Sequence, residues 1–168
     1  MPEKPDFDML VEAHSKEIFA YLWRMIGEPA DAEDCLQETF LRAFQAYARL
    51  NMGANYRAWL YKIATNVART FLKQRWQASV RMTDIDPDEL PSDHTSLEVF
   101  DKRARLAAVA TAVEALPHKQ RAALIMRKYQ CMSYEEVAYS LGGTEDAARA
   151  NVYQAIKKLR TMLVPENS

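Results

Sequence analysis

Glycine is scarce in this 168-residue chain, with only four, and no segment alternates apolar and polar residues for the length of a strand. A sheet protein built on tight hairpins is therefore excluded, and an all-α fold is expected. Cysteine is nearly absent: Cys35 and Cys131 lie far apart and belong to no CxxC pair, which leaves no disulfide framework. Each falls in or beside a helical pattern, so reduced, mostly buried thiols are expected. The three histidines, His14, His94 and His118, are scattered, no Cys/His set has metal-ligand spacing, and neither GxSxG nor a P-loop occurs. The chain thus reads as a non-enzyme with no catalytic residue, metal or cofactor. Long hydrophobic runs are missing too: Ile18 to Trp23 is too short for a signal h-region or a membrane span. A cytoplasmic protein without membrane insertion is expected.

Charge of one sign is also missing, region by region. From Thr39 to Thr83 there is no Asp or Glu, while Arg42, Arg49, Arg57, Lys62, Arg69, Lys73, Arg75 and Arg81 alternate with Phe40, Phe44, Tyr47, Tyr56, Trp59, Tyr61, Phe71 and Trp76. The formal net charge of the whole chain is -1, so this block is a local cationic face hidden by the overall balance. Cations hold phosphates and aromatic rings offer faces to unpaired bases, although a solvated helical face over an aromatic core has the same composition. The pattern then inverts. Between Arg81 and Lys102 there is no Lys or Arg, and Asp84, Asp86, Asp88, Glu89, Asp93, Glu98 and Asp101 gather beside Pro87 and Pro91. This stretch, 81–103, reads as an acidic flexible linker between two small helical domains, 1–80 and 104–168.

Helical periodicity fills both domains. Phe7, Leu10, Val11, His14, Ile18, Tyr21, Leu22 and Met25 mark a first amphipathic helix ended by Gly27 and Pro29. A second is expected from Asp31 as cap, with Leu36, Phe40, Ala43, Phe44 and Tyr47 buried and Asp34, Gln37, Glu38, Leu41 and Arg42 sharing the opposite side. After a loop over Leu50 to Asn55, Trp59, Leu60, Ile63, Val67 and Phe71 define a third helix, whose polar stripe carries Lys62, Asn66, Arg69 and Lys73. In the second domain Leu106, Val109, Val113 and Leu116 mark a helix closed by Pro117, and a short helix follows through Leu124 and Ile125. Ser133 and Glu136 form a capping box, Gly142 and Gly143 make a turn, and Thr144 caps a last helix exposing Arg149, Tyr153, Gln154, Lys157 and Lys158. Short helix, glycine turn and second helix is the arrangement of a helix-turn-helix DNA reader.

Taken together, the segments DAEDCLQETFLRAF (Asp31 to Phe44) and YRAWLYKIATN (Tyr56 to Asn66), with Leu116-Pro117, SYEEVA (Ser133 to Ala138) and Leu141-Gly142, resemble the extracytoplasmic-function (ECF) RNA polymerase sigma factors of the main sigma superfamily. The resemblance implies sigma region 2 followed by sigma region 4. It implies that Asp34, Gln37, Glu38 and Leu41 dock on the clamp helices of the polymerase largest subunit. It implies further that Trp59, Lys62, Asn66, Arg69, Thr70 and Lys73, with the Leu50 to Asn55 loop, engage the -10 element as it melts. Thr144, Arg149, Ala150, Tyr153, Gln154 and Lys157 fall where the family reads the -35 element. Asn151, Gln154 and Ile156 stand where the family commonly has Arg. The implied function is promoter recognition and transcription initiation, responsive to stress or to the envelope, and the implied partners are core polymerase, promoter DNA and an anti-sigma factor.

Two other functions fit parts of the sequence. A helix-turn-helix regulator would bind duplex by itself as a dimer at paired half-sites, and a sigma-like decoy would bind an anti-sigma factor without starting transcription.

Overall fold

The computed structural model describes residues 4–81 and 97–164, with backbone alone for 97–101. The linker acids Asp84, Asp86, Asp88, Glu89 and Asp93 lie outside the described residues. Among the described residues there are seven helices and no strand, in the order α1 (Phe7–Ile26), α2 (Pro29–Tyr47), α3 (Tyr56–Arg81), α4 (Leu97–Glu114), α5 (His118–Lys128), α6 (Tyr134–Leu141) and α7 (Glu145–Leu163). The helical pattern resumes at Leu97, so the backbone is helical over the last part of the expected linker.

Local chemistry accounts for the helix ends. Gly27 closes α1 with φ of 88°, a left-handed conformation that costs a residue without Cβ little. Asp31 does not cap α2 as its sequence position suggests. The helix begins two residues earlier with Pro29, whose ring pre-sets the helical φ and whose missing N–H would have had no partner. Asp31 instead sits in the first turn, where its charge favours the helix dipole, 3.8 Å from Arg75. Asn55 accepts the Ala58 amide at 3.0 Å and so fixes the start of α3. The capping box forms as its spacing predicts: the Ser133 hydroxyl accepts from the Glu136 amide and the Glu136 carboxylate from the Ser133 amide, both at 3.1 Å. Gly142, at φ of 72°, ends α6, and Thr144 caps α7 through the Ala147 amide at 3.1 Å.

Helices α1, α2 and α3 bury Ile18, Leu22 and Met25 against Ala32, Cys35 and Ala43 and against Leu60, Ala64 and Val67. That core does not stop at the end of α3. It continues through Ala122, Ile125, Met126, Met132, Val137, Ala148 and Val152, so the two halves share one apolar interior. A smaller cluster of Leu116, Leu124 and Ala155 lies beneath α7. Several large side chains depart from the expected burial. Phe44 is 63% exposed, its ring edge resting on Phe7, because small Ala43 takes the inward position on that turn. Leu106 and Val109 also face outward, and Ala112 and Leu116 supply the buried contacts there. Of the thiols, Cys35 is buried while Cys131 is exposed, in the α5–α6 turn with φ of 55°.

Where the halves meet, polar groups dominate. Tyr61 donates to the Glu17 carboxylate at 2.7 Å, and Arg57 reaches that carboxylate at 2.8 Å and the Gln130 carbonyl at 2.6 Å. The Gln130 amide donates to the Glu17 carbonyl at 3.0 Å and to the Tyr61 oxygen at 2.7 Å, and it accepts from Arg24 at 3.0 Å. Burial works against the Glu17 charge, yet hydrogen bonds from His14, Tyr61 and Arg57 outweigh it and hold the carboxyl below its ordinary range. Arg121 donates to the Met25 carbonyl at 2.9 Å and to the Glu114 carbonyl.

His118 opens α5 at this junction. Burial, helped by Arg121, Arg69 and Lys119, pushes its pKa down to about 4, while the Thr65 carbonyl pulls the other way. The unfolded chain therefore binds this proton more tightly, so the stability that His118 contributes is complete above its ordinary value of 6.5 and is lost as pH falls toward 4. Replacing His118 with Gln should accordingly flatten the fall in melting temperature between about pH 7 and about pH 5. Thermal unfolding of both proteins across that range checks it, and parallel curves would show that His118 takes up its proton alike in the folded and unfolded chain.

Candidate nucleic-acid interface

Each group of site residues expected from the sequence sits on one helix face. On α2, Asp34, Gln37 and Leu41 are exposed, and Glu38 is half-buried and paired with Arg42 at 2.8 Å. Leu41 is 53% exposed, an apolar side chain on the same helix face as Asp34, Gln37 and Glu38. The face therefore offers charge and apolar area together, the composition of a docking patch.

On α3 the spacing of Lys62, Asn66, Arg69 and Lys73 brings all four to the same side, all exposed, with Thr70 beside Arg69. The eleven steps from Lys62 to Lys73, at a helical rise of about 1.5 Å, make a stripe about 16 Å long. That equals about five nucleotide steps of one strand. The other cations of the acid-free block divide differently. Arg57 belongs to the network at the junction, while Arg75 donates to the Ile26 carbonyl at 3.1 Å and stacks over Phe71. These two hold the fold, and nothing in their sequence neighbourhood distinguishes them from the cations that face solvent.

The aromatic residues follow the plainer reading. Trp59 is 8% exposed, its ring packed against Tyr47, and Phe40, Tyr47, Tyr61 and Phe71 lie in or against the core. Large exposed rings within the acid-free block are confined, among the described residues, to Phe44 and Trp76. Trp59 still reaches the surface at one place. It lines a cavity of about 380 Å³ with Arg42, Leu50, Lys62, Asn66 and Tyr139, at the foot of the loop between α2 and α3.

On α7, Arg149, Ala150, Tyr153, Gln154 and Lys157 are exposed along the outer face, and Tyr153 is 64% exposed. Thr144 is exposed too, but its hydroxyl is committed to capping the helix. Arg149 is held over the Tyr134 ring at 4.9 Å and 3.6 Å from Asp146, which aims the guanidinium before any ligand arrives. The inward residues Ala148, Val152 and Ala155 keep this reading face outermost.

Sequence reasoning misses the residues that join the two halves. Glu136 reads as a helix cap alone, yet its second oxygen also accepts from Asn55 at 3.2 Å and lies 3.5 Å from Arg57. Ser140 donates to the Ala58 carbonyl at 3.1 Å, and Lys62 lies over the Tyr139 ring at 5.4 Å. No periodicity could have found these contacts, because they join positions about eighty residues apart.

Comparison with known proteins agrees with this arrangement. The family model "Sigma-70 region 2" matches residues 10–78, and "Sigma-70, region 4" matches residues 106–159. The sigma factor CarQ of Myxococcus xanthus is 30% identical over 94% of this chain and 88% of its own length. The ECF sigma factor SigE of Mycolicibacterium smegmatis is 29% identical over 98% of this chain, which spans 64% of that relative. Among solved structures, CnrH in complex with the cytosolic domain of CnrY aligns over 94% of this chain and 86% of its own, at 26% identity and a TM-score of 0.66. The sigma factor RpoE in complex with the anti-sigma factor NepR from Bartonella quintana shares the fold, with a TM-score of 0.71 at 23% identity over 94% of this chain and 96% of its own. Two matched regions in the family's order, together with full-length similarity to CarQ, place the chain among the ECF RNA polymerase sigma factors.

Proposed function

We propose that the chain directs core RNA polymerase to its promoters, with α2 gripping the enzyme, α3 engaging the melted -10 strand and α7 reading the -35 duplex. The observation that carries this is the placement of three exposed faces of different chemistry on three helices of a family-matched fold. The chain contributes binding rather than bond chemistry, and no step in the proposal needs a nucleophile, acid or metal from it. Acting with polymerase, it would operate in the cytoplasm. Run-off transcription with purified core enzyme tests the proposal directly. Specific initiation would support it, whereas promoter binding by the chain alone at paired half-sites would favour the dimeric regulator.

An anti-sigma partner is part of the proposal. CnrH and RpoE were both solved in complex with another protein, in the second case a named anti-sigma factor. This chain carries a cavity of about 570 Å³ between α1, α4 and α5, flanked by exposed Trp23, Leu106 and Tyr129. Apolar surface of that kind suits a helix from such a protein.

The three faces make separable predictions. Reversing Asp34 and Glu38 to Lys should leave helicity and melting nearly unchanged, since Asp34 is exposed and the Glu38–Arg42 pair is a surface one, but weaken core binding at least about tenfold. Unaltered affinity in a core titration would remove α2 from docking.

On α3, Lys73→Gln should lower the salt slope of holoenzyme binding by about 1, while Asn66→Ala should change sequence preference at the -10 element. Equal, sequence-independent losses from both variants would contradict that division.

For α7, Arg149→Ala should cost about 1–3 kcal/mol and relax preference at one -35 position, because Arg can pair in bidentate fashion with guanine O6 and N7. The loss should be concentrated at Arg149, since Asn151, Gln154 and Ile156 supply no cation there. A promoter library transcribed with both proteins reads the outcome, and an unchanged -35 preference would exclude this helix from base readout.

A further inference from the structure

We propose that Lys4 is a positioning residue for selection of the -10 base: its ammonium fastens the turn from which the loop between α2 and α3 departs, and so holds one wall of the cavity at the foot of that loop. The inference rests on the assignment of α3 and this loop to the -10 element, and it adds a residue that lies outside both segments.

The end of α2 calls for such a partner. Its last turn carries no basic residue, and Ala48 continues in the right-handed conformation where a left-handed glycine would close the helix. Carbonyls at a helix end lack intrahelical donors and carry partial negative charge, so a cation beside them is favoured. Lys4 supplies it from ahead of α1. Its Nζ donates to the Tyr47 carbonyl and, at 2.9 Å, to the Leu50 carbonyl, and it stands over the Tyr47 ring at 4.1 Å. An ammonium has three protons to place, and two carbonyls with a ring face take them.

The hold reaches the cavity by two routes. Leu50, whose carbonyl Lys4 binds, lines the cavity of about 380 Å³ with Trp59, Lys62 and Asn66. Tyr47 donates its hydroxyl to the Pro5 carbonyl and sets its ring 6.2 Å from that of Trp59, the aromatic wall. Lys4 itself does not line the cavity, so it acts through these two residues. The loop is loosely held along its length: Asn51, Met52 and Gly53 are exposed, and the Ala54 amide reaches the Asn51 carbonyl only at 3.4 Å. Its far end is pinned by Asn55, which accepts the Ala58 amide at 3.0 Å. With Lys4 the near end is pinned as well. A wall fixed at both ends suits one base shape, whereas a loop freed at Leu50 yields to a wrong base, so discrimination is lost before overall binding is.

The test compares holoenzymes carrying the full-length chain on a promoter library randomised across the -10 element. Lys4→Met keeps the length of the side chain and removes its charge and donors. It should lower discrimination at the selected base about fivefold, equivalent to about 1 kcal/mol, while output summed over the library changes less than about twofold. Lys4→Arg should retain the preference, because a guanidinium can also donate to two carbonyls and stack on a ring. Lys16→Met, the same change on the exposed side of α1, should leave it unaltered. Hydrogen exchange at the loop amides 51–55 should quicken in Lys4→Met and in neither of the others. An undiminished preference in Lys4→Met, or an Arg variant as relaxed as the Met one, would overturn the proposal. So would a loss spread evenly over every promoter, which is what reduced stability alone gives. If Asn66→Ala still shifts the -10 preference in those cases, the assignment of α3 stands without Lys4. If Asn66→Ala shifts nothing either, the assignment itself fails and takes the role of Lys4 with it.

Discussion

Everything in the arrangement of the two halves depends on how one buried amide is satisfied. Gln130 is 8% exposed at the turn between α5 and α6, and each of its polar atoms needs a partner before its burial is tolerated. The partners come from the other half: the Glu17 carbonyl, the Tyr61 hydroxyl and the Arg24 guanidinium. Since Tyr61 and Arg57 also converge on the Glu17 carboxylate, the hydrogen bonds form a closed set that is complete in a single geometry. Apolar contact alone, through Ile125, Met126 and Val137, would tolerate sliding. The polar set fixes the register, and with it the placement of α6 over α3.

The same features make the junction specific rather than strong. A buried network of this kind adds modest net stability, because the charges of Arg57 and Glu17 lose water on docking and recover it on opening. The apolar core within α1–α3, dominated by fully buried Tyr21, Leu22, Met25 and Leu60, belongs to the same cluster as Ile125, Met126 and Val137 of the second half.

Local features are legible in the sequence, and relations between distant positions are not. The helix over Tyr56 to Phe71, the capping box at Ser133 and the glycine turn at Gly142 all follow from neighbours within four residues, where periodicity and capping chemistry act. The exposed faces on α2, α3 and α7 are readable for the same reason. Burial at particular positions is less so: Phe44 and Leu106 fit an apolar stripe, yet small Ala43 and Ala112 fill the tight places between helices and leave the larger side chains outside. Charge is harder still. Arg57 and Lys73 look alike in the acid-free block, and what separates them is Glu17, forty positions away and hydrogen-bonded to one of them.

Magnitudes explain why such a chain depends on a larger machine. Opening duplex costs about 1.4 kcal/mol per base-pair step, so five steps cost about 7 kcal/mol. Each base stacked on a ring returns about 1–3 kcal/mol. The fold commits most of its aromatic residues to its own core: Tyr61 is fully buried, Tyr47 and Phe71 pack inward, and Trp59 shows a margin at one cavity. One ring margin can stack about one base, and one base leaves most of the opening cost unmet. The deficit must be covered by binding energy from outside the chain, and the acidic and apolar face of α2, exposed in the docked state, is where it can enter.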